Sequence, residues 1–222
     1  MPFLLSTLLA MTTSFIPADS SEAYLEIVTY TVTDTVDFDH RVRKAYQLLS
    51  TSTPPRWWTH WQSTDGQTRA DVVAWPDKTA ALAAAERVAT DPNLAFFTTA
   101  IDTVNHFGHY RTSVVADDLL TALRSDGLLE LALFSSSAPA TTAELHPIVH
   151  GTLTQTDGLI KHVPLRQEDS ATGFGDLAMW RSAELQATAA TTLPTHPELS
   201  GYFSSIAELS VYTLFTRRLL LR

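Results

Sequence analysis

Two aspartate–tryptophan pairs at four-residue spacing, Asp71-x-x-x-Trp75 and Asp176-x-x-x-Trp180, are the first chemistry-bearing pattern in the chain. Side chains alternate along a strand, so each pair shares a face, with Val73 or Ala178 between its members. An ionised carboxylate accepts hydrogen bonds and cannot donate them. Burial that raises its pKa makes it a base toward a phenol or an enol. The plainer role is packing, with the Trp as a plug and the Asp capping a strand end or pairing with an arginine.

Other candidates sit on neighbouring segments. Glu26, Val28 and Tyr30 alternate with Leu25 and Ile27; Glu130, Ala132 and Phe134 alternate with Leu129, Leu131 and Leu133. The Leu/Ile faces are expected to meet helices, which turns Glu26 and Glu130 toward a barrel interior or its rim. A carboxylate there is costly unless paired or hydrated, and a rim glutamate in water or in a salt bridge is the alternative. His60 lies among Trp57, Trp58 and Trp61, and His162 is its counterpart. A cavity imidazole titrates near neutrality and suits proton abstraction; a hydrogen-bonded core histidine is the simpler state. His146 and His150 have helical i, i+4 spacing that suits a metal. No third ligand accompanies them, so a solvated helix face and no metal are expected.

An internal repeat supplies the elements that position these residues. Asp71-Val-Val-Ala-Trp75 aligns with Asp176-Leu-Ala-Met-Trp180 at an offset of 105, and Thr90-x-Pro92-x-Leu94 with Thr195-x-Pro197-x-Leu199 at the same offset. Phe97 then falls on Tyr202, Phe107 on Tyr212 and Tyr110 on Phe215. Leu25-Glu26-Ile27 matches Leu129-Glu130-Leu131 at 104, and His60 is matched to His162 at 102. Each half reads as a strand (24–32; 128–134), a helix (37–50; 142–153) and a hairpin (57–62 with 68–75; 159–165 with 174–180). An alanine-rich helix (79–89; 183–192), a proline-marked break and a last strand (104–111; 209–215) follow. Asp65-Gly66 is a hairpin dipeptide. This order, run twice, is the ferredoxin-like pattern. The expected fold is therefore α+β, with two β-α-β-β-α-β halves packing their bare sheet faces into one barrel. The divisions are an extension over 1–21, a first half over 22–112, a linker helix over 113–126 and a second half over 127–222.

The residues Val73-Ala74-Trp75-x-x-x-x-Ala80-x-Leu82, Asp91-Pro92-x-Leu94-x-x-Phe97 and their second-half matches resemble the dimeric α+β barrel superfamily, within it the antibiotic-biosynthesis monooxygenase-like group. The likeness spans residues 22–217 on short, degenerate motifs. Members usually carry one half per chain and dimerise; here both halves are fused, and a homodimer of fused barrels is a further expectation. In the family's cofactor-independent, quinone-forming oxygenases an Asn and a Trp at this spacing line the cavity. The Asn is replaced here by Asp71 and Asp176.

Composition narrows the classes. The chain has 222 residues, 45% hydrophobic and 18% charged, a globular composition, with a net charge of −9 and no cysteine. Acidity with scattered basic residues argues against a nucleic-acid partner. The lack of cysteine removes disulfides, thiol nucleophiles and iron–sulfur ligation. Phe3–Met11 is apolar but short and has no preceding Lys or Arg, so a cytoplasmic, non-membrane protein is expected, with a weak secretory signal as the alternative.

The resulting expectation is a cofactor-independent monooxygenase acting on a small aromatic or polyketide-like substrate inside the barrel. His60 or His162, or else Asp71 or Asp176, would be the base. Glu26, Tyr30, Trp58, Trp75, Glu130 and Trp180 would bind substrate. A non-catalytic small-molecule-binding or stress-response barrel is the alternative, and a third is a haem barrel with His60 or His162 as axial ligand. Because Tyr30, Trp58 and Trp61 face Phe134, Ile160 and Val163 at the sequence offsets, the working pocket is expected in the first half.

Overall fold

The computed structural model describes residues 22–33 and 36–222. The apolar run near the start, and any signal within it, lie outside the described residues. Among the described residues no helix is long and apolar enough to cross a membrane.

The first half runs β1 (Glu22–Val32), α1 (Phe38–Ser50), β2 (Trp57–Ser63), β3 (Arg69–Trp75), α2 (Lys78–Thr90), a 3-10 turn, α3 (Ala95–Thr98) and β4 (Ile101–Val115). After α4 (Ala116–Leu123), the second half runs β5 (Leu128–Ser136), α5 (Pro139–Leu153), β6 (Leu159–Gln167), β7 (Gly173–Trp180) and α6 (Ala183–Thr192). Two 3-10 turns, α7 (Ser200–Ser205) and β8 (Ile206–Leu221) complete it. Asp77 caps α2 by accepting from the Ala80 N–H at 2.8 Å, and Ser182 caps α6 in the same way. At the β2–β3 turn Gly66 takes φ +80°, a conformation that costs any side-chain-bearing residue.

The eight strands close into one antiparallel barrel in the order β1-β3-β2-β8-β5-β7-β6-β4. The seams between the halves are β2 with β8 and β4 with β6. Closure removes the sheet edges that either half alone would expose.

The orientation of the strand faces is the reverse of the expectation. One continuous apolar cluster draws on all eight strands and contains Leu25, Ile27, Leu129, Leu131 and Leu133, so the Leu/Ile faces point into the barrel. Trp57, Trp61, Tyr110 and Phe215 fill the interior, and Leu119, Leu120 and Leu123 of α4 belong to the same cluster. Fully burying one such side chain is worth about 1.5–3 kcal/mol. The opposite faces, with Tyr24, Tyr30, Trp58, Val73 and Trp75 or with Phe134, Ala178 and Trp180, pack outward against the helices. The reason is physical: a sealed interior has no water to pair a carboxylate, whereas the helix-covered outer face keeps clefts that do. Glu26 and Glu130 therefore sit on the outer face.

The pairing of the hairpins also corrects the sequence alignment. Trp58 stands opposite Val73 and His60 opposite Asp71, but His162 stands opposite Ala178 and Pro164 opposite Asp176. His162 thus occupies the place of Trp58, at an offset of 104, and Pro164 the place of His60. The histidines are not positional counterparts.

Candidate functional site

Two cavities lie between the outer sheet face and its helices, one in each half. The first has a volume of about 520 Å³, the second about 240 Å³. Ligand pockets commonly span ~300–1,000 Å³, so only the first has ordinary ligand-binding size. The size difference follows from the helix residues. At the offset of 105, Ala81, Val88 and Ala89 of α2 become Gln186, Leu193 and Pro194, and these three line the second cavity. Gln186 also donates to the Tyr212 hydroxyl at 3.1 Å.

In the first cavity Glu26, Tyr30, Trp58, Asp71 and Trp75 all reach the wall. Asp71 lies at the centre of a buried network. It accepts from the Tyr30 hydroxyl at 2.7 Å, the Trp58 indole N–H at 2.8 Å and His60 Nδ1 at 2.8 Å. His60 is fully buried, and its Nε2 faces the Asp39 carboxylate at 3.7 Å. It does not line the cavity; it lies behind Asp71. Burial by itself, and then the neighbouring Asp71 charge, push the Tyr30 hydroxyl well above the usual phenol range, which keeps it a donor.

Glu26 and Trp75 are diagonal neighbours on this face, because Glu26 pairs with Val73 and Tyr24 with Trp75. The Trp75 indole N–H is buried and has no hydrogen-bond partner. Burial pushes the Glu26 carboxyl up, and His109 Nε2, donating at 3.2 Å, only partly opposes this. A carboxyl with raised pKa beside an unengaged donor is an arrangement for taking a proton while holding the oxygen next to the carbon that loses it.

The second cavity repeats this pair: burial pushes the Glu130 carboxyl up, and its contacts with Gln186 and the Trp180 indole only partly oppose this. Its aspartate network is built from different elements. Asp176 accepts from His162 Nε2 at 2.8 Å, from His146 Nε2 at 2.9 Å and from the Tyr202 hydroxyl. Burial alone would raise its pKa, but these hydrogen bonds and the imidazole charges hold it well below the usual carboxylate range. His150 Nδ1 lies 3.0 Å from His162 Nδ1. The expected solvated face for His146 and His150 is therefore incorrect: α5 turns both inward onto the sheet. Among the described residues no set of three such groups is arranged to hold a metal. Sequence reasoning missed His146 and Tyr202 as members of this network. The usable signal was reciprocity, because Tyr30/Phe134 and Phe97/Tyr202 exchange a hydroxyl between strand and helix at nearly constant offset.

The expected wall of Trp58, Trp75 and Trp180 around one pocket does not form; Trp180 belongs to the second cavity. Nor do His60 and His162 fit the axial-ligand role expected of them. A histidine ligand must offer a ring nitrogen to the cavity. No histidine lines the first cavity, and both nitrogens of His162 are engaged in the second.

No protein-family model matches the sequence, nor does any curated protein. Solved structures do match the fold. An anthrone oxidase-like protein superposes with a TM-score of 0.63 at 12% identity, over 89% of this chain and 92% of that one. A Fusobacterium nucleatum protein described provisionally as a monooxygenase gives 0.61 at 7%, over 91% and 95%. Chlorite dismutase from Candidatus Nitrospira defluvii gives 0.60 at 12%, over 89% and 91%. Such identities carry the fold and not the chemistry. With its closed eight-strand barrel and outer helices, this chain has the dimeric α+β barrel fold.

Proposed function

We propose that the first-half cavity binds a small, flat, aromatic or polyketide-like molecule and oxygenates it without a cofactor. The observation that carries this reading is the joint presence, in a mostly apolar cavity of about 520 Å³, of Glu26 and the unpartnered Trp75 N–H. Trp75 would donate to a carbonyl oxygen of the substrate. Glu26 would take a proton from the adjacent acidic C–H, leaving an electron-rich enolate. The enolate carbon transfers electrons to O2 and forms a C–O bond. Loss of water from the resulting hydroperoxide converts CH2 to C=O, with one oxygen atom in product and one in water. No outside reductant is required. Asp71, held by Tyr30, Trp58 and His60, shapes the floor.

Similarity to solved structures of an anthrone oxidase-like protein and a monooxygenase-type protein supports the choice of chemistry by analogy alone. The test is oxygen uptake by the purified chain with anthrone, with stoichiometric quinone formation. Glu26→Gln should lower the rate about 10²-fold or more, while Glu130→Gln leaves it near wild type. Binding without turnover in the wild type would replace this reading with a non-catalytic binding barrel at the same cavity. A Soret band that appears on haem addition and depends on His60 or His162 would overturn it.

A further inference from the structure

The side chains around the first cavity are one-sided in charge. Three carboxylates, Glu26, Asp71 and Asp102, line it, and no Lys, Arg or His does among the described residues. Asp102 is exposed at the mouth near Val104 and Phe107, while Glu26 and Asp71 lie inside. The imidazoles that contact these groups sit behind them. His109 is behind Glu26, and His60 is behind Asp71. Arg69, on the same strand as Asp71, is only 3% exposed and is absent from the wall. On the covering helices Arg41 is turned to the Phe96 carbonyl and Arg87 to the Leu48 carbonyl.

From this geometry, and resting on the reading that the cavity binds a flat ligand, we infer that the site selects uncharged or cationic aromatic molecules bearing an acceptor oxygen and rejects carboxylates. An anionic ligand would lose its hydration on entry and meet only one unengaged donor, the Trp75 N–H, to replace it. It would also approach like charge, screened by water at Asp102 on the mouth and less screened at Glu26 and Asp71 inside. A ligand ammonium meets the opposite situation. The aromatic side chains of Trp58, Trp75, Phe97 and Phe107 line the same cavity as the carboxylates, and cations are attracted to both. The second cavity follows the same rule, with Glu130 and Asp176 on its wall and its one histidine, His162, tied to Asp176. A carboxylated polyketide is thus a poor substrate, whereas its ester or a neutral ring ketone is a good one.

The experiment compares three probes on one ring frame, 2-acetylnaphthalene, 2-(aminomethyl)naphthalene and 2-naphthoate, binding to the full chain at pH 7.5 by tryptophan fluorescence and calorimetry. The ketone and the ammonium should bind, and the naphthoate should bind at least about tenfold more weakly, roughly 1.4 kcal/mol. Asp102→Asn, at an exposed position that cannot disturb the core, and Glu26→Gln should each raise naphthoate affinity toward that of the ketone. Equal affinity for ketone and naphthoate in the wild type overturns the charge selection and leaves the cavity assignment standing. A naphthoate penalty unchanged in both variants overturns it as well, because the carboxylates would not be its cause. Binding of none of the three removes the cavity reading and the inference together.

Discussion

The two cavities are built on one plan and differ in what their helices contribute. Both carry a glutamate and a tryptophan as diagonal neighbours, and both place an aspartate at the centre of three donors. In the first half all three donors come from strands: Tyr30 on β1, Trp58 and His60 on β2. In the second half only His162 comes from a strand; His146 comes from α5 and Tyr202 from α7. The helices of the second half are thus drawn onto the sheet by hydrogen bonds, and Gln186, Leu193 and Pro194 occupy space that alanines and valine leave open in the first. The lesson is that a strand-borne network leaves the helix layer free to enclose a ligand, whereas a helix-borne network spends the same face on packing.

The largest expected effect tests the networks themselves. Asp71→Ala and Asp176→Ala each leave buried donors without an acceptor, and each should cost about 3–5 kcal/mol of unfolding free energy, measured by urea denaturation. A loss under 1 kcal/mol in either half would break the idea that the aspartate organises it. Next, filling the first cavity with Ala85→Phe should weaken binding of a three-ring ketone by about 100-fold, roughly 2.7 kcal/mol. Ala190→Phe, at the matching place in the second half, should leave that affinity unchanged. The converse substitution, Gln186→Ala, should enlarge the second cavity and give it measurable affinity for a single-ring ketone.

Smaller effects sharpen the hydroxyl exchange. Tyr30→Phe and Tyr202→Phe each remove one donor to a carboxylate and should cost about 2 kcal/mol. Adding Phe97→Tyr to Tyr30→Phe installs the second-half arrangement in the first half and should recover part of that loss; thermal denaturation of the three variants decides it. The smallest effect is a pH dependence carried by Asp176. The folded-state pKa of Asp176 is depressed, so its stabilising contribution is complete above the unfolded value of about 3.9 and is lost as pH falls below it. Stability of the wild type should therefore fall more steeply between about pH 4 and pH 2 than that of Asp176→Asn. Parallel slopes would show that the imidazole contacts of Asp176 do not persist in solution.

Much of the fold was legible because it rests on periodicity. Alternating strands, the Asp65-Gly66 turn and two alanine-rich helices each leave a local signature, and the barrel follows from two bare sheet faces needing cover. Which face was bare could not be read from alternation, because strands such as β2, β3 and β7 are buried on both faces. The clue was chemical: the face without a single carboxylate is the one that water cannot reach. The extra length of β4 and β8 was equally hidden, since the added ends carry exposed residues such as Asp102, Thr103 and Glu208. At the site, residue types were legible and roles were not. His60 has the chemistry of a base, but its place behind Asp71 depends on pairing between β2 and β3. The match of His60 to His162 failed because identical letters outweighed register, and only the pairing with β7 shows that His162 stands where Trp58 does. Burial pushes the Glu26 carboxyl up and His109, 83 positions away in the chain, partly opposes this, a balance that only the fold sets.

The most direct test of the central claim is a crystal structure of the full chain soaked with a neutral three-ring ketone. The account predicts the ring system between β1, β3 and α2 in the first half, with the ketone oxygen within hydrogen-bond distance of Trp75 Nε1 and the adjacent ring carbon facing Glu26. Density for the ligand inside the barrel, or only in the second-half cavity, would contradict it.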